Sequence, residues 1–148
     1  WSPTLPLMRM ASPGAARSPE GALVIGADTL VYCDGYMGKP VDAADAEVML
    51  SRLQGRQHEV YTGIAIVRAG TDEKVTDSVR TYVRMKPLSA AEIRRYIATG
   101  EPMDKAGAYG IQGHAALFVE NLVGSYTGVM GLPLYETGVL LQRFGYPL

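Results

Sequence analysis

The sequence predicts an α/β fold, a single domain with a mixed, twisted sheet flanked by helices. Three observations predict it. The run Ala22 to Tyr32 is nearly continuously apolar, as in a strand covered on both faces. The segment from Lys74 to Met85 alternates with period two, as in a half-exposed strand. Two later segments carry apolar residues at helical spacing between capping and stopping signals.

The elements follow in order. Residues 1–20 contain Pro3, Pro6, Pro13 and Pro19 with serine, glycine and alanine between them, so this part is expected to be irregular or disordered. The folded part is expected to span 21–148. After the first strand, Asp34-Gly35 turns the chain. Asp42 reads as an N-cap, and Ala46, Met49, Leu50 and Leu53 form one helical face ending near Gly55. Val60 to Val67 reads as a second buried strand, and Gly70-Thr71-Asp72 joins it to the alternating one as a hairpin.

In that alternating strand Val75, Asp77, Val79, Thr81, Val83 and Met85 share the more apolar face. Ser89-Ala90-Ala91-Glu92 is a capping box, and Ile93, Tyr96 and Ile97 form the buried face of the helix it opens. Ala115 to Val123 is expected as another strand. A turn at Ser125-Tyr126 and Gly128 to Pro133 leads into a third helix, from about Leu132 to Phe144.

A chain of 148 residues suits one domain, and a hydrophobic content of 47% supplies a core. Fourteen basic and fifteen acidic residues leave a net charge of −1, which lacks the positive field a nucleic-acid partner requires. Cys33, the single cysteine, excludes an internal disulfide and a cysteine-based zinc site, and reads as a small core residue. No apolar run approaches the roughly 20 residues that span a bilayer. Leu5-Pro6-Leu7-Met8 is too short for a signal peptide core. A soluble, cytoplasmic protein with no membrane partner is expected.

Asp28 stands out, because an apolar strand leads straight into it through Ile25, Gly26 and Ala27. A desolvated carboxylate is costly unless paired, coordinated or used. With Thr29 and the nearby Lys39 it suggests chemistry on an anionic substrate, the carboxylate taking a proton from water or facing a divalent cation, the lysine neutralising phosphate. The competing reading is a strand-end aspartate bonded to backbone. A glycine-rich stretch, Gly100 to Gly113, carries Glu101, Asp104, Lys105 and Gln112. Its glycines permit close backbone approach to an anion, and the Gln112 amide offers a donor and an acceptor to a base edge. His58 and His114 lie in no metal-ligand spacing and are read as structural.

Seven blocks then carry a family likeness: Val24-Ile25-Gly26-Ala27-Asp28-Thr29, Gly38-Lys39-Pro40, Met49 to Arg56, His58 to Gly63, Gly100 to Gly107, Tyr109 to Gly113 and Gly131-Leu132-Pro133-Leu134. In this order they resemble the Maf family of nucleoside triphosphate pyrophosphatases, whose fold is akin to inosine triphosphate pyrophosphatase. The resemblance implies hydrolysis of a nucleoside triphosphate to monophosphate and diphosphate with Mg²⁺ or Mn²⁺, as housekeeping of the nucleotide pool. It implies that Asp28 is the proton acceptor, that Thr29 and Gln112 bear on base choice, and that Lys39 lies on the phosphate side. No metal-ligand set follows from it. The Asp-Thr and Ile-Gln-Gly forms are similar to the branch acting on dTTP and UTP, so dTTP, UTP and modified pyrimidine nucleotides are the substrates the resemblance implies. A nucleoside triphosphate is thus the expected partner, and family members are often dimers, so a homodimer is expected too.

The likeness also has a departure. Family chains carry a strand and a Ser-Pro-Arg-Arg type loop well ahead of the Asp-Thr block, whereas 27 residues precede Asp28 here. Ala11-Ser12-Pro13 is followed by Gly14 and Ala15 rather than two arginines, and reads as coincidence. The domain is therefore expected to be N-terminally incomplete. The alternative function is a catalytically impaired remnant that binds nucleotide or serves as an interaction module.

Overall fold

The computed structural model describes residues 21–148; the expected irregular segment 1–20 lies outside them. Five strands form one antiparallel sheet in the order β2-β1-β3-β4-β5, with β1 Leu23–Tyr32, β2 Tyr36–Met37, β3 Gln57–Arg68, β4 Lys74–Met85 and β5 Val119–Val123. The helices are α1 Ala43–Leu53, α2 Ala90–Ala98, α3 Tyr126–Met130 and α4 Leu134–Arg143. The expected mixture of strand directions is not seen among the described residues. Short turns join β1 to β2 and β3 to β4, and such turns reverse the chain.

Contacts gather the chain into two compact units, threaded by the long strands β1, β3 and β4. Of the described residues the first holds 21–29 with Thr62–Val79 and Thr127–Leu148. Its core is built on β3. Ile64 and Ile66 pack with Leu140 of α4, and Leu23, Ala27, Val75, Leu132, Leu141 and Phe144 surround them. Ala65 and Val67 pack against Val24. Alternation sends these two sets to opposite faces of β3, so both faces are covered.

β3 is therefore the doubly buried central strand, a place the sequence pointed to for β1. In β1 only Val31 is fully buried, and Tyr32, which β2 pairs as well, is exposed. The hairpin turn closes through Thr71 N–H donating to the Arg68 carbonyl, and Arg68 N–H to the Glu73 carbonyl.

The second unit holds Leu30–Tyr61 and Arg80–Tyr126. Asp42 caps α1, its carboxylate accepting from the Asp45 amide at 2.8 Å, and Ala46, Leu50 and Leu53 form the buried face. Each fully buried leucine contributes about 2 kcal/mol. Ser89 and Glu92 complete the capping box of α2, which packs on α1 and buries Ile93 and Tyr96. Cys33 is buried, and burial pushes its thiol above the usual range.

Two sequence expectations change here. Residues His114–Leu117 form a 3-10 turn, so β5 starts only at Val119. The turn arises because the His114 and Ala115 amides are drawn to the Glu101 carboxylate. The stretch read as a turn before the last helix contains the short helix α3, and α4 begins at Leu134.

Candidate functional site

In the first unit, Asp28 and Thr29 are half-buried near the end of that unit's part of β1. The Thr29 amide donates to Asp28 Oδ1 at 3.0 Å, the backbone bond that the structural reading of this aspartate anticipated. It occupies one lone pair and leaves the other carboxylate oxygen for further chemistry. Alternation along β1 places Asp28 on the face of Val24 and Thr29 on that of Leu23 and Ala27. The two neighbours therefore project in different directions. The Thr29 hydroxyl lies 3.1 Å from that of Thr62 on β3, and the Thr62 hydroxyl donates to the Gly128 carbonyl at 2.6 Å.

In the second unit, the Gly38-Lys39-Pro40 turn meets the glycine-rich stretch. The Gly107 amide donates to the Gly38 carbonyl at 3.1 Å. Gly107 sits at φ +73, and a Cβ there would stand 2.9 Å from Val31 Cγ2. Only glycine combines that backbone angle with so close an approach. Lys39 is exposed, and Lys105 Nζ lies 2.9 Å from Asp104 Oδ1. Lys105, with a smaller contribution from Lys39, holds the Asp104 carboxyl below the usual range. Two ammonium groups beside one carboxylate suit a polyanion better than a bare cation.

Gln112 is exposed at the tip of the same stretch, and its two flanks are tied down. On one side the Gly110 amide donates to the Tyr96 hydroxyl at 3.1 Å, and that hydroxyl donates to Glu101 Oε2. On the other, Glu101 accepts from the His114 amide at 3.0 Å and the Ala115 amide at 3.4 Å. Burial alone would raise the Glu101 carboxyl, but these donors outweigh it and hold it below its ordinary range. A Cβ on Gly113 would collide with the Glu101 carboxylate, so the glycine is required by the clamp.

His58 is 2% exposed and its Nε2 is 2.6 Å from the Tyr109 hydroxyl. Burial lowers its pKa to about 4, so the ring is neutral and structural. His114 opens the 3-10 turn.

The structure thus joins Lys39 to the Gly100–Gly113 stretch and joins Thr29 to Thr62. Lys39 and Gln112 belong to the second unit, Asp28 and Thr29 to the first. Sequence reasoning took Tyr96 only as a buried helical residue and passed over Thr62. The signal available for Thr62 was a polar residue at a position where strand alternation demands an apolar one.

Among the described residues no three acidic, histidine or cysteine side chains gather to hold a metal. Mg²⁺ is commonly bound by one or two carboxylates together with substrate phosphates and water, and isolated carboxylates such as Asp28 fit that donor set. No described helix is long and apolar enough to cross a membrane.

Comparison with known proteins bears on the family of the chain. The family model described as "Maf-like protein" matches residues 7–144, including residues 7–20 ahead of β1. A protein of Symbiobacterium thermophilum named dTTP/UTP pyrophosphatase is 52% identical over 142 residues, covering 95% of this chain and 72% of its own length. A protein of the same name from Aromatoleum aromaticum is 57% identical over 133 residues, covering 89% of this chain and 64% of its own. One from Geotalea uraniireducens is 53% identical over 140 residues, covering 94% and 72%. A family model matched over most of the chain, together with relatives above 50% identity, shows that the chain belongs to the Maf-like protein family.

Proposed function

We propose that the protein hydrolyses dTTP and UTP to the monophosphate and diphosphate. The carrying observation is identity of 52% and 57%, over 95% and 89% of the chain, to relatives named for that activity. Water attacks the α-phosphorus, the bond from that phosphorus to the bridging oxygen breaks, and diphosphate leaves. Asp28 takes the proton of the attacking water through its free oxygen. Lys39 offsets phosphate charge, and Thr29 and Gln112 bear on base choice. The exposure of Lys39 and Gln112 and the half-burial of Thr29 support these roles. Asp28, with the substrate phosphates, would hold a divalent cation, Mg²⁺ or Mn²⁺, which would supply further neutralisation of the phosphate charge.

A cytoplasmic setting belongs to the same proposal, since nucleotide pools lie there and a lone buried thiol suits a reducing compartment. Homodimerisation also belongs to it, supported by the stretch of β1 before Val31, which β2 leaves uncovered among the described residues.

The test is diphosphate release from dTTP and UTP by the purified chain with Mg²⁺. Asp28→Asn is expected to abolish release with little change in thermal midpoint. Lys39→Ala is expected to raise KM by about tenfold, the equivalent of one charge-assisted contact. Nucleotide binding without any release, from wild type, would sink the activity and leave a binding module.

A further inference from the structure

This inference rests on the reading of the protein as acting on thymine and uracil nucleotides, and it names what reads the base. Thr62 is 1% exposed and donates to the Gly128 carbonyl at 2.6 Å. A hydroxyl carries one proton. Two oxygens at that distance repel unless a proton lies between them, and a carbonyl has none to give. The Thr62 proton is therefore committed to Gly128. The contact between Thr29 and Thr62, 3.1 Å long, must then use the proton of Thr29. The relay runs from the Thr29 hydroxyl to the Thr62 hydroxyl to the Gly128 carbonyl. It leaves Thr29 with lone pairs only, so toward a ligand Thr29 is an acceptor.

We propose that Thr62 is a positioning residue that sets the hydrogen-bond polarity of Thr29, so that Thr29 accepts from the ring N3–H of uracil or thymine and disfavours cytosine. In the two dioxo-pyrimidines N3–H is the donor between two carbonyl acceptors. In cytosine the same ring atom is an acceptor, and its lone pair would face those of Thr29. For Thr29 to donate to it, the bond to Thr62 must break. That leaves a buried oxygen with an empty acceptor site, which is the kind of loss that makes polar recognition selective.

The experiment measures calorimetric affinities of the full chain for the α,β-imido analogues of UTP and CTP, which are not cleaved at the scissile bond. Wild type is expected to bind the UTP analogue at least about tenfold tighter, the value of one good hydrogen bond. Thr62→Val frees the Thr29 hydroxyl to rotate. It should bring the ratio close to one, with the CTP analogue gaining affinity while the UTP analogue loses it. Thr62→Ser should keep the wild-type ratio.

Equal binding of the two analogues by wild type would overturn the proposal. So would a Thr62→Val protein that weakens for both with the ratio unchanged, since that is the mark of a merely structural threonine. Should Thr62→Val fail to fold by circular dichroism, Thr29→Val takes its place, and retention of the ratio there overturns the proposal equally. Wild type that discriminates the analogues yet releases no diphosphate from UTP leaves the polarity relay standing and rejects the hydrolytic reading alone.

Discussion

Nε2 of His58 lies 2.6 Å from the hydroxyl of Tyr109, both side chains being buried in the second unit. The other ring nitrogen, Nδ1, has no hydrogen-bond partner among the described residues. A protonated ring would bury a charge with no counter-ion, and burial accordingly lowers the His58 pKa from 6.5 to about 4.

A pH dependence of stability follows. Between the folded value of about 4 and the unfolded value of 6.5 the unfolded chain binds the extra proton. Stability contributed by neutral His58 is thus fully present above pH 6.5 and is lost as pH falls toward 4. The full loss is about 3 kcal/mol, at about 1.4 kcal/mol per unit. Urea unfolding from pH 7.5 to 4 should show this limb, and His58→Gln should flatten it. An unchanged limb in the variant would remove His58 as the cause.

The Tyr96 hydroxyl is both acceptor for Gly110 and donor to Glu101. Burial, then the Glu101 carboxylate, holds its phenol well above the usual range, so it stays a donor at physiological pH. Tyr96→Phe removes both bonds and leaves the buried Gly110 amide unpaired, at about 1–3 kcal/mol. Hydrogen exchange should accelerate at the Gly110, His114 and Ala115 amides more than in β3. Nucleotide affinity should fall with it, because Gln112 lies between the loosened flanks. Uniform acceleration throughout the chain would argue against a local clamp.

Gly107 meets the Val31 side chain at φ +73, where a Cβ would find carbon at 2.9 Å and 3.1 Å. Gly107→Ala should therefore destabilise by about 1–3 kcal/mol, combining left-handed strain with overpacking. Gly38→Ala, where a Cβ meets nothing within 4 Å, is the control and should change the thermal midpoint little.

Much was legible before any coordinates. The caps at Asp42 and Ser89, the alternation along β4 and the turns at Gly35 and Gly70 are local signals, and each lies where its sequence placed it. The misread segments have long-range causes. Ala115 and Leu117 look like strand residues, but the Glu101 carboxylate, more than ten positions earlier, bends that stretch into a 3-10 turn.

By itself the sequence determined the capped helices, the long strands, the family and the residues that carry its motifs, because periodicity, capping and motif order are properties of the chain. Tertiary structure decided which strand is central. An apolar run such as β1 states that it can be buried, but only the neighbours supplied by the sheet make β3 the covered strand. It also decided the polarity of the Thr29 hydroxyl. A threonine is donor and acceptor alike until a partner takes its proton, and Thr62, 33 positions away, is the residue that takes it.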